Sequence, residues 1–157
     1  MSSPAVPIKL DSLTANNLGI FNRIAAPAEY PDHYIQQCRD SGELCRYAYF
    51  GEVPVGVLVL HTVVNKSPVA LNIALLRVLD AYADNLHVEA ELVRYALALC
   101  PKRHVAACTA VVNRSDTVLV RVLTDMGFLP QTGPVPDAYR TLSVDAAAGE
   151  TLFVKSV

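Results

Sequence analysis

The side chains able to do chemistry are concentrated in a short stretch, LDAYADNLHVEAEL, residues 79–92, which holds Asp80, Asp84, His87, Glu89 and Glu91. It follows VALNIALLRVL, an apolar run that reads as a buried strand. It leads into HVEAELVRYALALC, where Val88, Leu92, Tyr95, Ala96 and Leu99 recur at helical spacing. Anions are often bound where a strand passes through a short loop into a helix, because the free N–H groups of the helix start point outward. This loop has no glycine and carries acids, so the architecture for an anion is present while the side chains oppose one. His87 reads as a solvated first-turn residue rather than a base. Glu89 and Glu91 suit the positive end of the helix dipole.

A second cluster, Cys100, His104 and Cys108, has residues four apart, a spacing that can place metal ligands on one helical face. Pro101 is expected to end that helix, so no metal site is expected. Cys38, Cys45, Cys100 and Cys108 form no CxxC pair and are read as buried thiols of a reducing compartment. Cys108 reads as core rather than nucleophile, since no cation beside it in the sequence would lower its pKa.

The elements that must position these groups follow from punctuation and period. IKL, residues 8–10, is a short strand. NNLGIFNRIAA is a helix whose start Thr14, Asn16 or Asn17 can cap, and Pro27 ends it. PDHYIQQCRDSG, residues 31–42, begins with proline in a favourable first-turn place and ends on Gly42, as a second helix. LCRYAYF and VPVGVLVLHTVV, separated by GEVP, read as an antiparallel hairpin in which Tyr47 and Tyr49 are packing residues. The strand VALNIALLRVL, the helix 87–100 and the strand HVAACTAVV come next. A helix over SDTVLVRVLTDMG then carries Val118, Val122 and Met126 on its apolar face, with Ser115 as cap and Asp116 in the first turn. DAYRTLSV and GETLFVKSV suit a terminal hairpin. The order predicts an α/β fold with a mixed sheet of about seven strands and four helices. Leu58, Val59, Leu60, Ile73, Leu75, Val78, Leu92, Leu99 and Val122 are expected in its core.

With 157 residues, 52% hydrophobic and 18% charged, the chain is long and apolar enough for one domain with a sizeable core. A net charge of -2 gives no global pull toward nucleic acid. The apolar stretches are too short and interrupted to span a bilayer, and MSSPAVPIKL lacks the features of a secretory signal, so a cytoplasmic protein is expected.

This order resembles the GNAT N-acetyltransferase fold. NNLGIFNRI, AAPAEYPDHY, SGELCRYAYFGEVPVGVLV, LDAYADNLHVEAEL and MGF look like stretches of the NatE-type protein N-terminal acetyltransferases. The resemblance implies a single GNAT-like domain over residues 1–157. It also implies acetyl-CoA as cofactor if the chain is active, and a nascent peptide N-terminus as substrate. Its implied partners are the scaffold and catalytic subunits of a NatA-type complex, and through them the ribosome.

The resemblance also assigns positions, and many have changed. The diphosphate turn of the family falls on Ala83, Asp84, Asn85, Leu86, His87 and Val88, with Leu86 and Val88 where the family has glycine. A carboxylate such as Asp84 within about 4 Å of a phosphate costs roughly 1 kcal/mol in water and about 4 at a partly shielded surface. The cofactor residues implied are Leu76, Val78, Asn85, Leu86, His87, Val88 and Asp116, the strand offering its main chain to the pantetheine arm. The two family residues that act through water as base match Asn72 and Val111, neither of which titrates. The tyrosine near the departing thiolate matches Leu123. The peptide-facing positions match Ala26, Pro27, Ala28, Tyr30 and Tyr139, with an aromatic ring reduced to Ala26, so specificity for an initiator Met should be weak. Three readings follow, in order: a NatA-associated subunit with weak or no catalysis, an active N-terminal acetyltransferase, and a regulatory module binding another ligand.

Overall fold

The computed structural model describes residues 8–26, 28–63, 69–82, 87–136, 139 and 150–157. Its elements are β1 (Ile8–Asp11), α1 (Gly19–Ala25), α2 (Asp32–Asp40), β2 (Cys45–Phe50), β3 (Val53–Val63), β4 (Ala70–Val78), α3 (Val88–Lys102), β5 (Ala107–Asn113), α4 (Thr117–Asp125), β6 (Leu129–Pro130) and β7 (Glu150–Ser156). The strands form one seven-stranded mixed sheet in the order β1-β2-β3-β4-β5-β7-β6. The expected α/β class, strand count and helix count are all observed.

Contacts divide the chain into two compact units, one with residues up to Val59 and Leu75–Leu92, the other with Leu60–Ala74 and Val93–Val157. In the first unit, β1 pairs antiparallel with β2, and β2 with β3, with a bulge between Ala48 and Tyr49. The turn between β2 and β3 is tight because Gly51 takes φ 62, a left-handed conformation that glycine adopts without steric cost. Phe21, Ile24, Tyr47, Val55, Val57 and Leu58 are buried in this unit, and the Tyr47 hydroxyl donates to the Asn17 carbonyl at 2.9 Å.

In the second unit β4 runs parallel to β5, pairing Ala70 with Ala107, Asn72 with Thr109 and Ile73 with Ala110. These are the strands read from VALNIALLRVL and HVAACTAVV, and they lie side by side. β7 pairs antiparallel with both β5 and β6. Of the expected terminal hairpin, the second arm is the strand β7, and the first arm, apart from Tyr139, lies outside the described residues. Among the described residues, the short strand Leu129–Pro130 also lies beside β7.

Several local expectations give way to the folded chain. No side chain caps α1, because Asn17 turns back, its Oδ1 accepting from the Thr14 amide at 2.7 Å and its Nδ2 donating to the Ser12 carbonyl. Pro31 sits at the cap of α2, one residue before the helix. α3 continues through Pro101 to Lys102. A proline so near a C-terminus disturbs only the last turn, and the chain then leaves through His104 at φ 56. α4 buries Leu119 and Leu123, while Val118, Val122 and Met126 are only half-buried. Of the expected core, Leu58, Val59, Leu60, Ile73, Leu92 and Leu99 are buried, whereas Leu75, Val78 and Val122 are half-buried.

Candidate functional site

In the first unit, the loop between α1 and α2 is built around Tyr30. The Asn22 side chain grips the Tyr30 backbone at both ends, donating to its carbonyl at 3.0 Å and accepting from its amide at 2.8 Å. The Tyr30 ring stacks on Tyr34 at 5.3 Å and meets the edge of Phe21 at 5.5 Å, the geometries that aromatic quadrupoles favour. Arg77, from β4, donates to the Ala26 carbonyl at 2.7 Å, placing a cation at the negative end of α1. Burial raises the pKa of Tyr30, against the opposing charge of Arg77, so its hydroxyl is neutral at pH 7. Pro27 lies outside the described residues.

The same unit holds the described part of the turn into α3. Asn85 and Leu86, with Ala83 and Asp84, lie outside the described residues. His87 is exposed at φ 57, and its carbonyl accepts from the Glu91 amide at 3.1 Å. Val88 is fully buried. It faces Gly56: a Cβ at Gly56 would lie 3.3 Å from Val88 Cγ1, from the Ala48 Cβ and from the Arg77 carbonyl. Val88 therefore fills space that Gly56 leaves in the core and does not crowd a phosphate. Leu76 is buried and Val78 half-buried on the strand that leads to this turn.

A recess of about 260 Å³ between α1 and α2 is lined by Leu18, Gly19, Asn22, Asp32, Ile35 and Gln36, a feature the sequence does not signal. Asn22 thus both lines the recess and holds Tyr30.

In the second unit Asn72 is wholly buried on β4. Its Oδ1 accepts from the Thr109 hydroxyl at 2.7 Å, and its Nδ2 donates to the Tyr139 carbonyl at 2.9 Å. Val111, half-buried, pairs with Leu152 of β7, and Leu123 is fully buried. Asp116 is itself the cap of α4, accepting from the Leu119 amide at 3.2 Å, while Ser115 bonds to Asn113 instead. Capping occupies the Asp116 carboxylate in the role its helix end favours. The sequence could have flagged Asn72, since one amide inside LNIALL must find partners when buried, but it could not name them.

All four cysteines are free and buried. The Cys108 thiol is held up in pKa by its hydrogen bond with Cys100 and by burial, so it is protonated and inert. Cys100 donates to the Ala96 carbonyl at 3.4 Å. Among the described residues no group of three or more His, Cys, Asp and Glu is arranged to hold a metal ion, and no helix is long and apolar enough to cross a membrane.

No protein-family model and no curated protein matches this sequence. Solved structures do. Naa50 of Arabidopsis thaliana, in complex with the bisubstrate analogue CoA-Ac-MVNAL, aligns with a TM-score of 0.72 at 21% identity over 96% of this chain and 99% of that one. The NatC complex bound to Gag peptide and CoA gives 0.74 at 15%, over 96% and 98%. Ard1 of Thermoplasma volcanium gives 0.73 at 14%, over 96% and 97%. At these identities the likeness establishes architecture, and the chain has the GNAT N-acetyltransferase fold.

Proposed function

We propose that this chain is a protein N-terminal acetyltransferase-like subunit of the NatE type, able to receive a peptide N-terminus but transferring acetyl groups weakly or not at all by itself. The observation that carries the reading is the braced Tyr30 loop. The Tyr30 backbone is gripped by Asn22, its ring is stacked on Tyr34, and Ala26, where α1 ends, is tied to β4 by Arg77. A loop held at so many points is preorganised for a ligand rather than merely linking two helices. It is the segment that the NatE resemblance gives to the peptide, and the structural neighbours include Naa50 with a bisubstrate analogue and the NatC complex bound to a peptide and CoA.

The weak-transfer half rests on side-chain chemistry. Asn72, Val111 and Leu123 carry no group that accepts or delivers a proton at neutral pH. General-base assistance is typically worth about 10²- to 10⁴-fold in rate. Acetyl-CoA, when bound, would supply the activated acetyl thioester. The main chain of Leu76 and Val78 and the first N–H groups of α3, at His87 and Val88, are the described groups that would hold it. On this reading the protein acts in the cytoplasm beside a NatA-type scaffold and catalytic subunit, where its shape rather than its chemistry is used.

A second reading, an active acetyltransferase, draws support from Val88. Because that side chain is packed into the core, one of the two lost glycines of the turn is no obstacle to a cofactor. Calorimetry with acetyl-CoA, followed by a time course with Met- and Ala-initiated peptides, separates the two readings. Weak peptide binding without turnover supports the first; sustained turnover by the isolated chain supports the second.

A further inference from the structure

Asn72 sits where the resemblance places a base, yet it is wholly buried and both ends of its amide are committed. The assignment of its two ends follows from the partners. The Tyr139 carbonyl can only accept, so Nδ2 must face it, which turns Oδ1 toward Thr109 and requires the Thr109 hydroxyl to donate. Thr109 is the direct Cα partner of Asn72 across the parallel β4–β5 ladder and is itself buried. The amide is therefore oriented by one strand and delivers its N–H to a residue 67 positions away in sequence. Tyr139 is further held by its own amide, which donates to the Pro136 carbonyl at 3.1 Å, and by packing against Val63, Ala70 and Ala107.

We infer that Asn72 is a positioning residue: it ties the Tyr139 backbone to β4, so that Tyr139 is held in place before any peptide arrives. Only an asparagine-sized side chain with one donor and one acceptor end completes the arrangement. Glutamine is too long for an already filled site, and an ionised carboxylate would face the Tyr139 carbonyl with a second acceptor. A buried hydrogen bond of this kind, once lost, leaves the Tyr139 carbonyl without its donor, and Tyr139 is expected to open more often. The consequence for peptide binding rests on the reading above; the consequence for Tyr139 itself does not.

The test is residue-resolved amide hydrogen exchange on the parent and on Asn72→Ala, with exchange at Tyr139 compared to amides of the β5–β7 ladder such as Val112 and Leu152. Exchange at Tyr139 should accelerate about tenfold or more, corrected for intrinsic rates, while the ladder amides change little. The Asn72→Asp variant, nearly isosteric, guards against a failure of Asn72→Ala to fold. It should lose protection at Tyr139 at neutral pH and regain it as the pH falls, because a protonated carboxyl can donate to the Tyr139 carbonyl while accepting from Thr109. Unchanged exchange at Tyr139, or uniform acceleration over the whole unit, overturns the inference, as does an Asn72→Asp variant with no pH-dependent recovery. Binding of a Met-initiated pentapeptide, measured on the same samples, should weaken about 5- to 10-fold in Asn72→Ala with acetyl-CoA affinity unchanged. If the parent binds no peptide, the peptide reading falls while the exchange result still decides the role of Asn72.

Discussion

At the scale of the residue, buried polar groups and tight contacts carry the testable consequences. A methyl group at Gly56 would be crowded, since Ala48, the Arg77 carbonyl and Val88 would each lie 3.3 Å from its Cβ and would have to give way by a few tenths of an ångström. Gly56→Ala should therefore cost about 1–3 kcal/mol in urea unfolding. Combined with Val88→Ala it should cost less than the sum of the two single changes, by about 0.5 kcal/mol or more, because one clash is relieved. Strict additivity would mean that the two side chains do not share that space. Tyr47 gives a pH signature. Burial is the largest cause raising its pKa above the ordinary 10.0, with the nearby Tyr49 adding to it, and the phenol donates to the Asn17 carbonyl. A group whose folded pKa is raised contributes stability that is present below the unfolded value and lost as pH climbs past it. Stability should thus fall progressively as pH rises above about 10, more steeply in the parent than in Tyr47→Phe, as read by denaturant midpoints from neutral pH upward.

Among the elements, α4 is the clearest case of a period correctly read and a face misjudged. Valines at 118 and 122 advertise a stripe, but the helix turns Leu119 and Leu123 inward. Two overlapping apolar stripes cannot be ranked without the surface that each would meet. Leu123→Ala should cost about 2–5 kcal/mol and Val122→Ala markedly less, measured by chemical unfolding. Leu123→Tyr, which would restore the hydroxyl the resemblance expects, adds volume to a filled core and should lose about 1–3 kcal/mol. Most elements were legible in the sequence because each carries its own period and stop signals. The β2–β3 hairpin, the β4 run and the four helices all do. What was illegible depends on distant partners. Leu129–Pro130 is too short to show a pattern and becomes a strand only beside β7. Asn17 was free to cap α1 but had nearer partners in Thr14 and Ser12. In the candidate site, residue types alone show that Asn72, Val111 and Leu123 do not titrate, while their match to the family's catalytic positions is what the resemblance implies. The grips of Asn22 on Tyr30, Arg77 on Ala26 and Asn72 on Tyr139 were not, since no local rule relates those pairs.

For the molecule as a whole, the fold establishes architecture and the side chains decide what it is used for. The position of Val88 in the core reshapes how the proposed cofactor turn should be restored. Leu86→Gly with Asp84→Arg should raise acetyl-CoA affinity above the parent by about tenfold or more, because an opposing charge becomes an attracting one. Adding Val88→Gly should lower stability without further gain, since it empties a packed site beside Gly56. A calorimetric titration of both variants checks this, and equal affinity in parent and double variant would move the turn elsewhere in the sequence. The central claim is that this N-acetyltransferase fold receives a peptide N-terminus but is a poor catalyst alone. The most direct test is a mass-spectrometric time course of the isolated chain with saturating acetyl-CoA and a Met-initiated peptide. The claim predicts acetylation no faster than about 10²-fold below an N-terminal acetyltransferase retaining its base residues, assayed alongside. Multiple turnovers at the rate of that comparison enzyme, abolished by a bulky substitution at His87, would contradict it.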